Sequence, residues 1–146
     1  MECANKYLIM KTLKTLIAFL LALFFAIAGH KGAKAQSTPD ETFAKISSAI
    51  QKGDAEGLTA FFHSPLEITL PGADEAYSSQ QATFVLKDFF TKNAPKSFAV
   101  IHKGNSGTTH YATGSFVSSG GTFDTNIFLK NVGGSYKVTQ LRFEAE

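Results

Sequence analysis

The spacing of the apolar residues changes near Pro95, and this change constrains the fold more than any other feature of the sequence. C-terminal to Pro95, apolar and polar residues alternate with a period of two, which predicts β-strands. The predicted strands are residues 97–103, 108–117, 122–131 and 135–145, separated by short turns that contain glycine. Because turns this short join neighbouring strands, the four strands are predicted to form an antiparallel meander.

N-terminal to Pro95 the apolar residues recur at helical spacing instead. Two capping boxes, Thr38 with Glu41 and Ser78 with Gln81, each precede an amphipathic stretch. The apolar positions are Phe43, Ile46, Ala49 and Ile50 in the first stretch and Ala82, Val85, Leu86, Phe89 and Phe90 in the second. Two long helices are therefore predicted.

Two shorter elements lie between these helices. Asp54 follows the helix-breaking Gly53 and can cap a brief second helix. Residues 66–70 alternate as a short strand, which Pro71-Gly72 closes. The order α-α-β-α-β-β-β-β predicts an α+β domain in which three N-terminal helices pack on one face of a curved antiparallel sheet.

The N-terminal segment has the pattern of an export signal. Lys11 and Lys14 precede an uncharged apolar run, residues 15–28, and Ala33-Lys34-Ala35 follows as a site for signal peptidase. This run is shorter than the roughly 20 residues that cross a bilayer as a helix. Cleavage after Ala35 is predicted, and an uncleaved membrane anchor is the alternative.

This prediction divides the chain into a signal peptide, residues 1–35, and one domain, residues 36–146, exported to the periplasm or secreted. Met1 and Met10 are alternative translation starts, since Met10 also opens a natural signal sequence. The only cysteine, Cys3, precedes the apolar run, so neither a lipid anchor nor disulfide chemistry is expected in the mature domain.

Charge argues against a nucleic-acid partner. The whole chain has a formal net charge of +2. The predicted domain, by contrast, has nine basic and eleven acidic side chains, because most of the excess lysine belongs to the signal. No basic stripe remains on the domain for a phosphate backbone.

The turns between strands predict which side chains face the helices. A two-residue turn at Gly133-Gly134 would place Thr125 opposite Arg142, with Gln140 on the same inward face. His102 and His110 are expected on that face too, opposite each other across the preceding turn. The outward face would carry Phe128, Leu141 and Phe143, enough apolar surface to predict a homodimer through the outer sheet face.

The element order, the Gly53-Asp54-Ala55-Glu56-Gly57-Leu58 break and the closing strand from Ser135 to Phe143 resemble the nuclear transport factor 2-like superfamily. This SnoaL-like, cystatin-type α+β cone includes cyclases, ketosteroid isomerases, dehydratases and non-enzymatic association domains. The chain looks most like a group of small exported bacterial proteins of uncharacterised function. The resemblance implies that any ligand would lie inside the cone, and the fold alone does not imply an activity.

Arg142 is the first candidate for a ligand site. It is the only arginine, and on the inward face with Gln140 and Thr125 it would need an anion or several acceptors. One interpretation is an anchor for a small anionic or polar ligand. The other is an internal salt bridge to Glu144 or to a carboxylate of the first helix.

His110 and Tyr77 complete the list of candidate residues. The resemblance implies that an inward histidine could act as a base, as in the dehydratases, with Tyr77 or Arg142 as its partner. Alternatively, His110 lies in water at a hairpin tip. The only inward carboxylate is Glu144, so the isomerase constellation of base, tyrosine and protonated acid is not visible. His102 and His110 without a further ligand make an incomplete metal site, and no metal or cofactor is predicted.

Three functions remain open. The first is a non-enzymatic domain that binds a small ligand or a protein partner in the mouth of the cone. The second is a small lyase or isomerase of the SnoaL or ketosteroid isomerase type. The third is a purely structural dimer whose cone is filled by its own phenylalanines, of which the chain has 14. The sequence favours binding over catalysis and assigns no catalytic residue.

Overall fold

The computed structural model describes residues 37–146. Its helices are α1 (Pro39–Lys52), α2 (Ala55–Thr59) and α3 (Ser79–Lys92), and its strands are β1 (Phe62–Leu70), β2 (Ala73–Tyr77), β3 (Pro95–Ser106), β4 (Thr109–Ser118), β5 (Gly121–Val132) and β6 (Ser135–Ala145). The strands form one sheet in the order β2-β1-β6-β5-β4-β3. The predicted α+β class is confirmed.

Both predicted capping boxes form. The Thr38 hydroxyl accepts the backbone N–H of Glu41 at 3.2 Å, and the Ser78 hydroxyl accepts that of Gln81 at 3.3 Å. Helix α1 ends at Gly53, whose φ of 66° lies in the left-handed region that glycine adopts without strain. These local signals fix where the helices begin and end, and therefore which stripe of each helix faces the sheet.

The sheet differs from the prediction in one strand and one pairing. Strand β2, which was not predicted, pairs with β1 through the two-residue turn at Pro71-Gly72. Its sequence of alanines, acids and one tyrosine lacks the branched residues typical of strands. Strand β1 then lies parallel to β6, whereas all the other pairs are antiparallel.

Helical stripes and the inner sheet face form one core. The predicted apolar positions of α1 and α3 are buried, except that Val85 is half-buried. At the centre, the Phe89 ring lies 4.9 Å from that of Phe143, 5.4 Å from Phe123 and 6.0 Å from Phe116, measured between centroids. Phenylalanine side chains of the protein itself therefore occupy the centre of the core.

A β-bulge in β6 overturns the predicted facing of its C-terminal half. The turn at Gly133-Gly134 forms as predicted, and Leu129 pairs with Val138. Thr139 is then an extra residue, since the next pair is Phe128 with Gln140. One extra residue moves every later side chain to the opposite face.

The residues beyond Thr139 are consequently exchanged between the two faces. Leu141 and Phe143, expected outside, are buried in the core at 1% and 0% exposure. Gln140 and Arg142, expected inside, lie on the outer face with Phe128 and Asn126 as their register partners. The predicted inward cluster of Arg142, Gln140 and Thr125 is wrong for this reason.

A second bulge, at Ile101 in β3, has the same effect on His102. Val100 pairs with Gly114 and His102 with Thr113, so Ile101 is the extra residue. His102 therefore turns to the outer face, and the residue opposite His110 is Asn105. The predicted opposition of the two histidines is wrong.

None of the three helices between residues 37 and 146 is long and apolar enough to cross a bilayer. The predicted signal peptide, residues 1–35, lies outside the described residues.

Candidate functional site

The five residues predicted to line a ligand pocket do not come together. Arg142 and Gln140 lie on the outer face of the sheet. Thr125 is 1% exposed within the core, where its hydroxyl is 3.5 Å from the Phe123 carbonyl oxygen. The bulge in β6 separates these residues, because Thr125 keeps its predicted orientation while the two β6 residues reverse theirs.

Arg142 has neither of its predicted partners. Its register neighbours are Thr69 on β1 and Asn126 on β5, and its Nε is buried without a hydrogen-bond partner. Within residues 37–146, no ion pair involves Arg142 or Glu144. Gln140, by contrast, donates from Nε2 to the Glu67 carboxylate at 2.9 Å.

Tyr77 and His110 remain on the inner side but far apart. Four inter-strand steps separate β2 from β4, about 19 Å at the usual strand spacing. The His110 ring packs edge-on against Tyr136, with centroids 5.3 Å apart. Burial, followed by the charge and hydrogen bond of Glu75, raises the pKa of Tyr77 above its ordinary value of 10.0. The structure does not assemble the predicted acid–base pair of His110 with Tyr77 or Arg142.

A groove that the sequence did not reveal lies along α3. We call it the α3 groove. It is lined by the helix, the β1–β2 turn, the β4–β5 turn and the ends of β5 and β6, and its volume is about 710 Å³. Its lining residues are Leu70, Pro71, Gly72, Ala73, Phe84, Val85, Asp88, Phe89, Lys92, Asn93, Gly120, Phe123 and Ala145.

The chemistry of the α3 groove is mainly apolar. Phe84 is 65% exposed, whereas the lining residues Phe89 and Phe123 belong to the buried core. The two charged lining residues, Asp88 and Lys92, form an ion pair of 2.7 Å with each other and are well exposed. The groove thus offers aromatic and aliphatic surface with a charged pair, and its volume is within the range of about 300–1,000 Å³ typical of small-molecule sites.

The sequence carried one weak signal for this groove. Phe84 lies on α3 between Ala82 and Leu86 but outside the buried stripe, so it is the large apolar residue of that helix that the core does not need. A single exposed phenylalanine is common on protein surfaces. Only the fold shows that Phe84 continues an apolar surface formed by segments distant in sequence.

Comparison with known protein families identifies the family of this chain. The model of a family described as a domain of unknown function, DUF4783, matches residues 43–144. The chain belongs to the DUF4783 family. This match runs from within α1 to Glu144, the penultimate residue of β6, and so includes all or most of every helix and strand.

Solved DUF4783 structures resemble the chain over the described domain. A DUF4783 protein from Bacteroides ovatus is 27% identical, with a TM-score of 0.69, covering 77% of this chain and 98% of that one. A DUF4783 protein from Bacteroides fragilis is 24% identical, with a TM-score of 0.66, covering 70% and 96%. Nearly the whole of each crystallised chain is matched, so the likeness extends over almost the full length of these relatives.

Broader comparison extends the likeness of fold to NTF2-like proteins. An NTF2-like protein of unknown function from Cytophaga hutchinsonii is 12% identical, with a TM-score of 0.57, covering 77% of this chain and 94% of that one. At this identity the likeness concerns the fold alone. The sequence matches no curated protein. The predicted resemblance to NTF2-like proteins of uncharacterised function is confirmed, and this DUF4783 domain has that fold.

Proposed function

We propose that this DUF4783 protein is an exported, non-enzymatic domain that binds a small, largely apolar molecule in the α3 groove. The observation that carries the proposal is the groove itself, which has a volume of about 710 Å³ and is lined by the exposed Phe84 and by the buried Phe89 and Phe123. Export is supported by the predicted signal peptide, which ends in Ala33-Lys34-Ala35.

Binding fits the groove better than acid–base catalysis. A catalytic acid or base needs a polar group placed to move a proton, often with a shifted pKa. Among the described residues the titratable groups of the groove are Asp88 and Lys92, and they neutralise each other at 2.7 Å in an exposed position. Tyr77, whose pKa is raised, does not line the groove.

The ligand chemistry differs from the one that the sequence suggested. An anionic ligand was expected because Arg142 was placed inside the cone. Since Arg142 lies on the outer face, its guanidinium is not available to a molecule in the groove. The lining instead favours an apolar body that covers Phe84 and excludes water from Leu70 and Val85.

The size of the Phe84 contribution follows from its exposure. Burying a whole phenylalanine side chain stabilises by about 1.5–3 kcal/mol. With 65% of Phe84 exposed, a ligand that covers it completely gains about 1–2 kcal/mol from this residue. Removing the ring should therefore weaken binding by about 5- to 30-fold.

A titration with Nile red, a neutral fluorescent apolar dye, tests the proposal on the domain of residues 36–146. Phe84→Ser should weaken the saturable binding of the dye by about 5- to 30-fold. The matched control is Ile101→Ser, which removes a side chain that is 72% exposed on β3, outside the groove, and should leave the affinity unchanged. Ala145→Trp, which fills the groove, should block the dye. Equal affinities for wild type, Phe84→Ser and Ala145→Trp would refute the proposal.

A further inference from the structure

The wall of the α3 groove that the helix forms changes from apolar to charged along its length. Phe84, Asp88 and Lys92 follow one another at intervals of four residues, about 6 Å each, and all three line the groove. Residues four apart lie on the same face of a helix, so the three side chains form a line along α3. The exposed phenylalanine is at one end of this line and the lysine is at the other.

The other walls of the groove carry no charged side chain. The lining residues from the β1–β2 turn, the β4–β5 turn and the ends of β5 and β6 are all apolar or glycine. The remaining polar residue of the lining is Asn93, whose Nδ2 donates to the Phe89 carbonyl oxygen at 3.0 Å. A molecule in the groove therefore meets two charged side chains, Asp88 and Lys92.

These two side chains are paired with each other but remain open to solvent. Their charged atoms are 2.7 Å apart, and the side chains of Asp88 and Lys92 are 63% and 70% exposed. A carboxylate accepts several hydrogen bonds and an ammonium donates three, so neither group is saturated by the other. A ligand that covers the groove displaces part of their water. That loss is costly unless other charges or hydrogen bonds replace the water.

We propose that the ligand of the α3 groove is a free zwitterionic amphiphile, an apolar chain whose head group carries one positive and one negative charge. This inference rests on the proposed function, since it names the ligand class of the same groove. The head group lies along the ion pair, with its cation beside the Asp88 carboxylate and its anion beside the Lys92 ammonium. Two attractive contacts then replace the displaced water.

A head group with a single charge fits this pair less well. A cation is attracted by Asp88 and repelled by Lys92, and an anion meets the reverse. Because the two protein charges are only 2.7 Å apart, the attraction and the repulsion largely cancel. A ligand that carries both charges gains from both residues, so the ion pair selects this class of amphiphile.

The order of the two charges within the ligand follows from the position of Phe84. Its ring is the large apolar side chain of the lining that remains exposed, so the chain of the ligand covers it. From Phe84 the helix reaches Asp88 first and Lys92 about 6 Å further on. The cation of the ligand is therefore next to the chain, and the anion is at the far end. Betaine head groups have this order, whereas phosphocholine head groups have the reverse order.

Isothermal titration calorimetry on the predicted mature protein, residues 36–146, tests this order with two amphiphiles. Both have the same decyl chain, and each is used below the concentration at which it forms micelles. Decyl sulfobetaine has its ammonium next to the chain, and decylphosphocholine has its phosphate there. Wild type should bind the sulfobetaine about 3- to 10-fold more tightly, because two exposed charge contacts are favourable with one ligand and unfavourable with the other.

Exchanging the two charges should reverse this preference. The variant Asp88→Lys with Lys92→Asp keeps an ion pair at the same spacing and leaves the apolar lining unchanged, so it should prefer decylphosphocholine by a similar factor. The matched control, Lys87→Glu with Glu56→Lys, exchanges an exposed ion pair outside the groove and should keep the wild-type preference. The neutral variant Asp88→Asn with Lys92→Gln should bind both amphiphiles equally. Thermal unfolding of each variant controls for folding.

Nile red distinguishes failure of this inference from failure of the proposed function. The neutral dye should bind wild type and the exchange variant with similar affinity, since an apolar body does not depend on the order of the two charges. Absence of dye binding to wild type would refute the groove as an apolar site. With dye binding intact, wild type that binds neither amphiphile, or binds both equally, would overturn the zwitterionic ligand. So would a wild-type preference for decylphosphocholine, or a preference that the exchange of charges does not reverse.

Discussion

Arg142 and Phe143 are neighbours in sequence with opposite environments, and this contrast tests the bulge at Thr139. Phe143 is fully buried, with ring centroids 4.9 Å from Phe89 and 5.4 Å from Phe116. Phe143→Ala should cost about 3–5 kcal/mol, since it removes this packing and leaves a cavity. Arg142→Ala should cost about 1 kcal/mol or less, because the side chain is on the outer face without an ion pair.

Urea unfolding of the domain at low micromolar concentration measures both costs under conditions that minimise association. With a slope of about 1–3 kcal/mol per molar urea, the Phe143→Ala midpoint should fall by at least about 1 M. If that variant does not fold, Phe143→Leu should still cost roughly 1–2 kcal/mol. A larger loss for Arg142→Ala than for either Phe143 variant would show that β6 has no bulge and that Arg142 faces inward.

Two further predictions concern alkaline pH and export. The fold raises the pKa of Tyr77 and therefore favours the neutral phenol. The resulting stabilisation of the folded state is fully present below pH 10.0, the pKa of tyrosine in the unfolded chain. It is lost as the pH rises through the pKa of Tyr77 in the folded protein. Between pH 9 and 11, the urea midpoint of wild type should therefore fall further than that of Tyr77→Phe, and equal falls would contradict the assignment. Mass spectrometry of the protein recovered from the host's envelope or medium should show Gln36 as the first residue, whereas a product that retains Lys14 would refute cleavage after Ala35.

The helices and hairpin turns could be predicted because their signals are local. A capping box places its two partners three residues apart, and Thr38 with Glu41 forms one whatever the rest of the chain does. The turn at Gly133-Gly134 is equally local, since both residues adopt the positive φ, 60° and 84°, that glycine tolerates. Strand β2 could not be predicted in this way, because pairing with β1 rather than its own composition makes it a strand.

The face of the sheet on which each β6 side chain lies could be predicted only as far as the bulge at Thr139. From the turn at Gly133-Gly134, parity gives the correct face for Val138 and the wrong face for Gln140, because Thr139 intervenes. Nothing in the local sequence distinguishes Thr139 from a regular strand residue, since threonine is common in strands. The bulge is decided by the core, which gains Leu141 and Phe143 when the register shifts. The predicted cluster of Arg142, Gln140 and Thr125 depended on regular alternation from the turn to Arg142. The single extra residue Thr139 was therefore enough to make that prediction wrong.

The α3 groove could not be predicted from the sequence for a different reason. Its lining residues come from segments up to 75 positions apart, from Leu70 to Ala145. Strand alternation then separates the groove from the outer face of the sheet at the end of β6. Ala145 lines the groove, whereas Glu144 is on the outer face opposite Asp124. Phe84→Ser therefore changes no residue of the outer face. The homodimer through the outer sheet face that the sequence predicts can therefore be refuted without affecting the proposed binding in the groove.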